Sequence, residues 1–356
     1  MVFEELEKEK LPHEQIVFCN DHKTGLKAII AIHNTQLGPS LGGCRMYPYK
    51  TEKEALRDVL NLSRAMSYKA ACSGLELGGG KSVIIGDPDK DKTKEILSAF
   101  GKYIQSLNGK YIVAKDVGIF DQDLKHIGET TSYVIGKPRE DGGAGSPSYS
   151  TAKGVFLGLK LGVQLRLQKT SLKNIKVVIE GVGSVGFELM KLLVEEEAEV
   201  FVFDVKKEIL EKVKKAYPSV HILSQKEVYH TPCDVFSPCA LGGVINETNL
   251  KTLNCSLIAG GANNQLHSID MCQKLFDKNI LYLPDFILNS GGLIHVSGYL
   301  KIKDKPPENW IENKLQEIPK SLKSIYDFSK KQHISMTEAA LNLGQTRIIQ
   351  GYSLKN

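Results

Sequence analysis

The chain has 356 residues, of which 42% are hydrophobic and 24% are charged, proportions typical of a globular protein large enough for two domains. Its net charge of +5 is small for this length, and acids and bases are intermixed, which argues against a nucleic-acid partner or an anionic membrane surface. No apolar run reaches the roughly 20 residues that span a bilayer, and the acidic start lacks the apolar core of a signal peptide.

The seven cysteines are odd in number, and no two of them form a Cys-x-x-Cys pair. This pattern argues against a disulfide framework or a zinc site, and it predicts a cytoplasmic protein in a reducing compartment. No cluster of histidines and carboxylates has the spacing of metal ligands, so we expect no catalytic metal.

The first third of the chain mixes strand and helix patterns. The Ile- and Ala-rich segment Lys27–His33 predicts a strand. Thr51, with Glu54 three residues later, predicts a capping box that opens a helix over Glu52–Met66. A strand, a helix and a further strand are then expected over Lys81–Ile85, Lys92–Leu107 and Lys110–Ala114.

A segment rich in Gly and Pro, Gly136–Pro147, interrupts these patterns and predicts a hinge. Beyond it, strands and helices alternate, which favours a parallel sheet covered on both faces. The strands are expected over Ile175–Ile179, Glu199–Phe203, Asp234–Phe236, Ser256–Ala259 and Ile280–Leu283, and helices from Trp310 to Ile349. We therefore predict two α/β domains separated by a cleft: a mixed domain over residues 1–140, with helices of about 330–356 packing back on it, and a Rossmann-type domain over 141–330.

A glycine-rich turn follows the strand expected at Ile175–Ile179 and opens a helical pattern. It reads Gly181-Val182-Gly183-Ser184-Val185-Gly186, the Gly-x-Gly-x-x-Gly spacing of a dinucleotide-binding turn. Asp204 ends the next strand, where a carboxylate binds the ribose hydroxyls of NAD and repels the 2′-phosphate of NADP. We therefore predict NAD as the cofactor; a purely structural turn is the alternative.

A lysine stands directly behind three glycines, in the run Gly78-Gly79-Gly80-Lys81. Glycines allow a backbone and a ligand to approach each other closely. A lysine that is desolvated in such a tight, apolar neighbourhood can exchange protons at neutral pH. Together with a nicotinamide cofactor, it indicates an oxidoreductase that acts on an amine or an alcohol next to a carboxylate.

Segments along nearly the whole chain carry a family resemblance. They are Leu37-Gly38-Pro39, Gly42-Gly43-Cys44-Arg45-Met46, Tyr68-Lys69-Ala70-Ala71, Gly78 to Pro88, Asp116-Val117-Gly118, Thr151-Ala152-Lys153-Gly154, Pro238-Cys239-Ala240-Leu241-Gly242, Ala262-Asn263-Asn264-Gln265 and Pro284 to Gly292. In this order they resemble amino-acid dehydrogenases of the glutamate/leucine/phenylalanine/valine group, and the leucine-type members most closely. The resemblance implies NAD-dependent oxidative deamination of an L-amino acid to a 2-oxo acid, ammonium and NADH.

The same resemblance implies three roles in the chemistry. Lys69 holds the substrate carboxylate, Lys81 is the catalytic amine that activates water, and Asp116 exchanges protons with the substrate nitrogen. Taken alone, Lys69 could equally be the basic residue at a helix C-terminus, and Asp116 a turn acid. Their joint occurrence with Lys81 favours the catalytic interpretation.

Further contacts implied by the resemblance divide between substrate and cofactor. Those to the substrate involve Leu41, Gly42, Ala114, Asn263, Asn289, Leu293 and Val296. Those to the cofactor involve Thr151, Cys239, Ala240 and Asn263, besides Asp204 and the turn with Gly181, Gly183, Ser184, Val185 and Gly186. As alternatives, Thr151 could be a helix N-cap, and the two asparagines turn or cap residues.

The expected side-chain pocket of the substrate is apolar, formed by Leu41, Ala114, Leu293 and Val296. A glutamate side chain would lose its solvation there without compensation, so glutamate is disfavoured. Ala114 is typical of the leucine-type members, whereas leucine at 293 is closer to those that use aromatic substrates. We expect leucine and other branched-chain amino acids; an aromatic substrate such as phenylalanine or tryptophan is the alternative. A third hypothesis is a catalytically silent sensor or scaffold. The presence of Lys69, Lys81 and Asp116 together disfavours it.

The resemblance also assigns work to the domains. The N-terminal domain carries the substrate lysines and the subunit contacts, the second carries NAD, and closure about the hinge would expel water. Relatives range from dimers to octamers, so we expect a homo-oligomer.

Lys115 departs from the family pattern, because relatives usually carry glutamate before the catalytic aspartate. A cation there would lower the pKa of Asp116 if its side chain faced the carboxylate, whereas strand alternation predicts that it faces away. We hypothesise a modest change in the pH optimum.

Overall fold

The structure is a computed structural model that describes residues 11–137, 144–302 and 307–353. The chain divides into two compact units. One contains the described residues up to Ser146, a short segment that begins at Tyr299, and the chain from Gly344 onward; the other contains Pro147–Gly298 and Pro307–Leu343. Both units are α/β, and the second holds a parallel sheet, so the predicted fold class is confirmed.

The first unit is built on a mixed five-stranded sheet in the order β1-β2-β4-β3-β5. Strand β2 is antiparallel to both β1 and β4, and β3 is parallel to β4 and β5. The elements are β1 (Gln15–Asp21), β2 (Leu26–Asn34), β3 (Ser40–Tyr47), α1 (Glu52–Cys72), β4 (Gly78–Ile85), α2 (Lys94–Ser106), β5 (Tyr111–Lys115) and α3 (Asp121–Ile127).

Helix α1 begins as predicted but runs further. The Thr51 hydroxyl caps it by accepting from the Glu54 N–H at 3.1 Å, whereas the Glu54 carboxylate accepts from Lys50 N–H instead of closing the capping box. The helix continues to Cys72 because Ala70 and Ala71 favour helix and bury against the sheet. It stops before Gly74, whose φ of +68° only glycine adopts readily.

The two faces of this sheet bury different partners. On one face, β2 and β4 pack on α1 through residues such as Ile29, Val59 and Val83. On the other, Phe100 of α2 and Ile127 of α3 belong to a larger core with the strands. Apolar side chains therefore cover both faces, which explains the continuous hydrophobic run of β2.

The second unit contains a six-stranded, all-parallel sheet in the order β11-β10-β9-β6-β7-β8. The strands are β6 (Lys176–Glu180), β7 (Glu199–Phe203), β8 (His221–Ile222), β9 (Val235–Pro238), β10 (Leu257–Ile258) and β11 (Leu281–Tyr282). Five of them lie within a residue or two of the predicted segments; β8 was not predicted. The chain order reverses at β6, and such a switch point leaves a crevice at the carboxyl ends of the strands.

Helices alternate with these strands, and further helices follow β11 as far as Ser353. They are α4 (Ser148–Leu167), α5 (Ser184–Glu195), α6 (Lys207–Ala216), α7 (Glu247–Thr252), α8 (Met271–Asp277), α9 (Asp285–Leu288), α10 (Gly291–Lys301), α11 (Glu308–Leu315), α12 (Glu317–Gln332) and α13 (Met336–Ser353). Toward its end, α13 joins the first unit, where the Arg347 guanidinium donates to the carbonyls of Ala71 and Leu75.

The centre of the predicted hinge, residues 138–143, lies outside the described residues. Across the described ranges, no helix has both the length and the apolarity that a membrane crossing requires.

Candidate active site

A buried ion pair occupies the middle of the first unit. Lys81 lies inside β4 and is 7% exposed. Its Nζ lies 2.6 Å from Oδ2 of Asp116, the residue that follows β5. Strands β4 and β5 flank β3, so the sheet brings together two residues that are 35 positions apart (116 − 81). The two predicted catalytic side chains are thus in direct contact.

A second cation, Arg45 of β3, reaches the same carboxylate. Its Nε donates to Asp116 Oδ2 at 3.2 Å, and its Nη1 donates to Asp58 of α1 at 2.9 Å. Burial raises the pKa of Asp116, but Lys81 and Arg45 outweigh burial and hold that pKa below its usual range. The sequence motif that contains Arg45 gave it no role, and no local signal identifies one, because only the pairing of β3 with β5 brings Arg45 to Asp116.

Two glycines of β3 leave no room for a side chain. A Cβ on Gly42 would overlap the carbonyl oxygen of Gly80 on β4. A Cβ on Gly43 would lie 2.5 Å from the carbonyl oxygen of Lys115 and 2.8 Å from the Cβ of Asp116. Gly43 therefore sets how closely β3 approaches the Asp116 carboxylate.

The three glycines before Lys81 face protein atoms. They lie within β4, although the strand was expected to start only at Lys81. Added Cβ atoms on Gly78 and Gly79 would overlap backbone atoms of Asn34 and of Ser67 in α1, respectively, and one on Gly80 would lie 2.7 Å from the Tyr111 ring. Gly79 therefore allows α1 to pack closely on β4, and Gly78 and Gly80 allow the close approach of Asn34 and Tyr111.

The remaining predicted substrate residues of this unit lie on neighbouring elements. Lys69 is half-buried in the last turn of α1. Leu41 of β3 is 1% exposed, and Ala114 of β5 is half-buried and pairs in register with Gly43. Leu41 and Gly43 point to one face of the sheet, because side chains alternate along a strand.

Lys115 pairs with a different acid. Its Nζ lies 2.5 Å from Oδ1 of Asp121, at the start of α3. The electrostatic neighbours that lower the pKa of Asp116 are Lys81 and Arg45. This geometry agrees with the strand alternation that turns Lys115 away from Asp116.

In the second unit, the glycine turn connects β6 to α5. Gly181 has a φ of +94°, and a Cβ there would lie 2.5 Å from that of Ala240. A Cβ on Gly186 would overlap the carbonyl oxygen of Gly181. A Cβ on Gly183 would meet no described atom within 4 Å. The first and third glycines thus serve close packing, and the second borders open space beside the N-terminus of α5.

Asp204, which directly follows β7, forms a hydrogen bond with this turn. Its Oδ2 accepts from the Val182 N–H, and its Oδ1 accepts from the Lys206 N–H, both at 2.9 Å. The carboxylate therefore lies at the rim of the open space that Gly183 borders. Ser184 is exposed and Val185 half-buried in the first turn of α5.

This arrangement fits the pyrophosphate and ribose of a dinucleotide. A helix N-terminus with free N–H groups and no obstructing Cβ accepts a phosphate, and the neighbouring carboxylate accepts ribose hydroxyls. Cys239 and Ala240 follow β9 at the same edge of the sheet, and Gly261 N–H donates to the Cys239 Sγ.

Two predicted asparagines of this unit are in contact. Asn289 is 4% exposed, and its Nδ2 donates to Asn263 Oδ1 at 2.9 Å and to the Ala262 carbonyl at 3.2 Å. Thr151 lies inside the first turn of α4, and its hydroxyl donates to the Pro147 carbonyl, so it is not the N-cap residue. The two pocket residues of α10, Leu293 and Val296, are buried and half-buried, respectively.

Glu180, the last residue of β6, is a buried acid to which the sequence motifs gave no role. It is 7% exposed, Tyr229 donates to its Oε1 at 3.3 Å, and its Oε2 has no hydrogen-bond partner among the described residues. Burial, and to a lesser degree the charge of Asp204, raises the pKa of Glu180. A carboxyl group directly before a dinucleotide turn is the sequence signal for it.

Two family models match the chain. One, described as Glu/Leu/Phe/Val dehydrogenase, dimerisation domain, matches residues 13–133. The other, described as Glutamate/Leucine/Phenylalanine/Valine dehydrogenase, matches residues 201–355.

Individual relatives match over almost their full length. The phenylalanine dehydrogenase of Caldalkalibacillus thermarum is 44% identical over 94% of this chain and 91% of its own. The leucine dehydrogenase of Geobacillus stearothermophilus is 41% identical, with coverages of 96% and 92%. The crystal structure of L-tryptophan dehydrogenase from Nostoc punctiforme aligns with a TM-score of 0.88 and 38% identity, over 99% of this chain and all of that one.

Proposed function

Because the chain belongs to the glutamate/leucine/phenylalanine/valine dehydrogenase family, we propose that it deaminates an apolar L-amino acid, with leucine and the other branched-chain amino acids as first candidates. The family's dehydrogenases are NAD(P)-dependent, and NAD is the cofactor of this chain. The products would be the 2-oxo acid, ammonium and NADH, and the reaction is reversible.

The buried pair of Lys81 and Asp116 carries this proposal. Asp116 is held ionised by two cations, so its carboxylate can accept the proton that the substrate ammonium must lose before oxidation. The Lys81 ammonium group, buried beside Asp116, would position the reacting water molecule. It would also stabilise the negative charge that develops on the substrate oxygen. Lys69 would hold the substrate carboxylate. NAD, when bound, accepts the hydride.

The apolar residues Leu41, Ala114, Leu293 and Val296 support an apolar substrate. A substrate carboxylate side chain placed among them would be desolvated without a partner, which disfavours glutamate. Ala114 supports a branched-chain side chain.

An aromatic amino acid is the second candidate. Leu293 is more typical of members that use aromatic substrates, and relatives named phenylalanine and tryptophan dehydrogenase are 44% and 41% identical, against 41% for leucine dehydrogenases. Such identities do not separate the substrates. One methylene in a pocket is worth only about 1–3 kcal/mol, so broad specificity is compatible with this pocket.

The direct test is NADH formation by the purified protein with leucine, valine, isoleucine, phenylalanine, tryptophan and glutamate. The variant Lys81→Ala should lose turnover. Its matched control is Lys92→Ala, because Lys92 forms a comparably buried pair with Asp123 at 2.7 Å in the same unit. Turnover of the branched-chain set that disappears only in Lys81→Ala supports the proposal.

The other outcomes separate the alternatives. Preference for phenylalanine or tryptophan would select the aromatic candidate. NAD binding without turnover of any of the six would indicate a silent sensor or scaffold instead.

We also propose the division of labour between domains and a homo-oligomeric assembly. Residues 1–140, with about 330–356, would bind substrate and make subunit contacts, and residues 141–330 would bind NAD. Support comes from the matched dimerisation domain and from β1, an edge strand on which Phe18 is 61% exposed. Light scattering of the purified protein should give an assembly between a dimer and an octamer; a monomer would contradict the proposal.

A further inference from the structure

A small cavity in the second unit concentrates buried polar atoms that lack partners. Its volume is about 150 Å³, and it lies between the end of α4, the free edge of β11, α12 and the start of α13. Six buried side-chain polar atoms have no hydrogen-bond partner among the described residues. Three of them belong to residues that line this cavity: Arg166 Nε, Tyr282 Oη and Thr337 Oγ1.

All three atoms are hydrogen-bond donors or can donate. Arg166 Nη2 donates to the Asn279 carbonyl at 2.8 Å, which fixes the guanidinium. Its Nε has no hydrogen-bond partner among the described residues. Burial, and then the charge of Asp285 and its side chain as a hydrogen-bond acceptor, raise the pKa of Tyr282 well above its usual range, so the Tyr282 hydroxyl keeps its proton and directs it toward Asp285. Arg166 Nε and Thr337 Oγ1 remain as the cavity donors without a partner among the described residues. Unmet buried donors cost free energy, and a ligand that accepts from them would recover it.

The charge of the lining favours an anion. Arg166 and Lys330 are the charged residues of the lining, and neither Asp nor Glu belongs to it. Thr337 is 7% exposed and lies in the first turn of α13, whose dipole also favours negative charge; the Ser335 hydroxyl already accepts from the Glu338 N–H of this turn. Because Asp285 acts on Tyr282, we place the anionic group with Arg166 and Thr337 and away from Tyr282.

The rest of the lining sets the size and the character of the occupant. Phe276, Leu281 and Met336 contribute apolar surface. At about 30 Å³ for each water-sized group, the volume admits about five such groups, which is the size of a small organic acid. A polar anion such as phosphate would leave this apolar surface unused, whereas a carboxylate with a short hydrocarbon tail would cover it.

We propose that this cavity is a binding site for a short-chain monocarboxylate, with the carboxylate held by Arg166 and Thr337 and the tail against the apolar wall. The site is formed entirely by residues of the second unit and shares no residue with the proposed catalytic set. Its ligand could therefore bind independently of the amino-acid substrate.

The test uses sodium butyrate as the probe and the full-length chain. Titration calorimetry on the Lys69→Met variant, which weakens the proposed substrate carboxylate site, should still show one butyrate per chain. Arg166→Met and Thr337→Val should each weaken that binding about tenfold, the expected effect of losing one hydrogen bond to a charged group. Lys173→Met and Thr248→Val, changes of the same kind at residues outside the lining, should leave it unchanged.

A second readout locates the probe. Cys272 lines the cavity and is partly exposed, so butyrate should slow its alkylation by N-ethylmaleimide, measured on the Cys272 peptide by mass spectrometry. Protection should persist in Lys69→Met and fall in Thr337→Val, and Thr337→Ser, which restores the hydroxyl, should recover it.

Three results would overturn the proposal: no butyrate binding, binding without protection of Cys272, or protection that is indifferent to both Arg166→Met and Thr337→Val. Inorganic phosphate at the same concentration should protect less; equal or better protection would overturn the carboxylate assignment. If Arg166→Met does not fold, Arg166→Lys, which keeps the charge and removes Nε, should show partial loss, and full affinity there would contradict the role of Nε.

Discussion

Asp116 owes its charge to two cations, and only one of them belongs to the proposed catalytic set. Lys81 and Arg45 both lie within 3.2 Å of the same carboxylate oxygen. Arg45 is tied in turn to Asp58, which also accepts from the Tyr49 hydroxyl at 2.5 Å. This chain of contacts fixes the guanidinium, so Arg45 positions Asp116 and lowers its pKa, and through Asp116 it would act on the proposed chemistry.

Replacing Arg45 should therefore move the pH dependence of the reaction. In Arg45→Met the pKa of Asp116 rises, because burial persists while one of two opposing cations is lost. The carboxylate then becomes available only at higher pH, so the acidic limb of the kcat/KM profile should shift upward. The measurement is kcat/KM against pH, which reports the free enzyme.

Lys115→Gln is the matched control for that experiment. Lys115 is adjacent in sequence to Asp116 but pairs with Asp121, so its removal should leave the acidic limb in place. A shift in Lys115→Gln as large as that in Arg45→Met would contradict the assignment to Arg45 and would restore the hypothesis that Lys115 tunes the site.

The variant Gly43→Ala should lose activity because of a steric effect on Asp116. The added methyl group would press on the Asp116 Cβ, 2.8 Å away, and on the Lys115 carbonyl. A displacement of a reacting group by about 1 Å costs on the order of a hundredfold in rate, so kcat/KM should fall by about that factor in a folded protein. Cys44→Ala, on the opposite face of the same strand, should retain activity within a few-fold; equal losses would refute the steric argument.

The three glycines of the turn between β6 and α5 have different structural roles. Gly183→Ala should leave the thermal midpoint nearly unchanged, because its Cβ would enter open space, yet it should weaken NAD binding by blocking the approach of the pyrophosphate. Gly186→Ala should lower the thermal midpoint, because its Cβ would overlap the Gly181 carbonyl. Melting curves with and without NAD measure both effects; a Gly183→Ala protein with unaltered NAD affinity would contradict the assigned task.

Local signals located most elements but missed β1, α3, β8 and β3, the strand that contains Gly42 and Gly43. Thr51 and Thr93 both cap the helices that follow them. Strand β3 was not predicted, since Gly42 and Gly43 have low β propensity. It forms because β4 and β5 pair with it on both sides, and that pairing is a tertiary effect.

The stability of the whole chain should decrease in mild acid because of two buried histidines. Burial lowers the pKa of His13 to about 4 and, with the nearby His13, that of His33 to about 3. Below pH 6.5 these histidines become protonated in the unfolded chain but stay neutral in the folded protein. The free energy of unfolding therefore falls as pH falls. Between pH 7.5 and 5 the loss should be about 2 kcal/mol for each histidine.

Urea unfolding at these two pH values tests that expectation. His33→Gln should reduce the difference between the two midpoints, even if it lowers both of them. The exposed His267 provides the control, since His267→Gln should leave the difference unchanged. An unaltered difference in His33→Gln would show that other groups dominate the acid response.

The family, the cofactor turn and the candidate catalytic residues could be found in the sequence because each is marked by residues that are close together along the chain. Their partners could not be found in this way. Arg45 and Asp116 are separated by 71 positions, and the glycines before Lys81 face Asn34, Ser67 and Tyr111 instead of a ligand. Only the folded sheet brings these groups within contact distance, because which strands become neighbours depends on the packing of the whole unit and not on any local pattern.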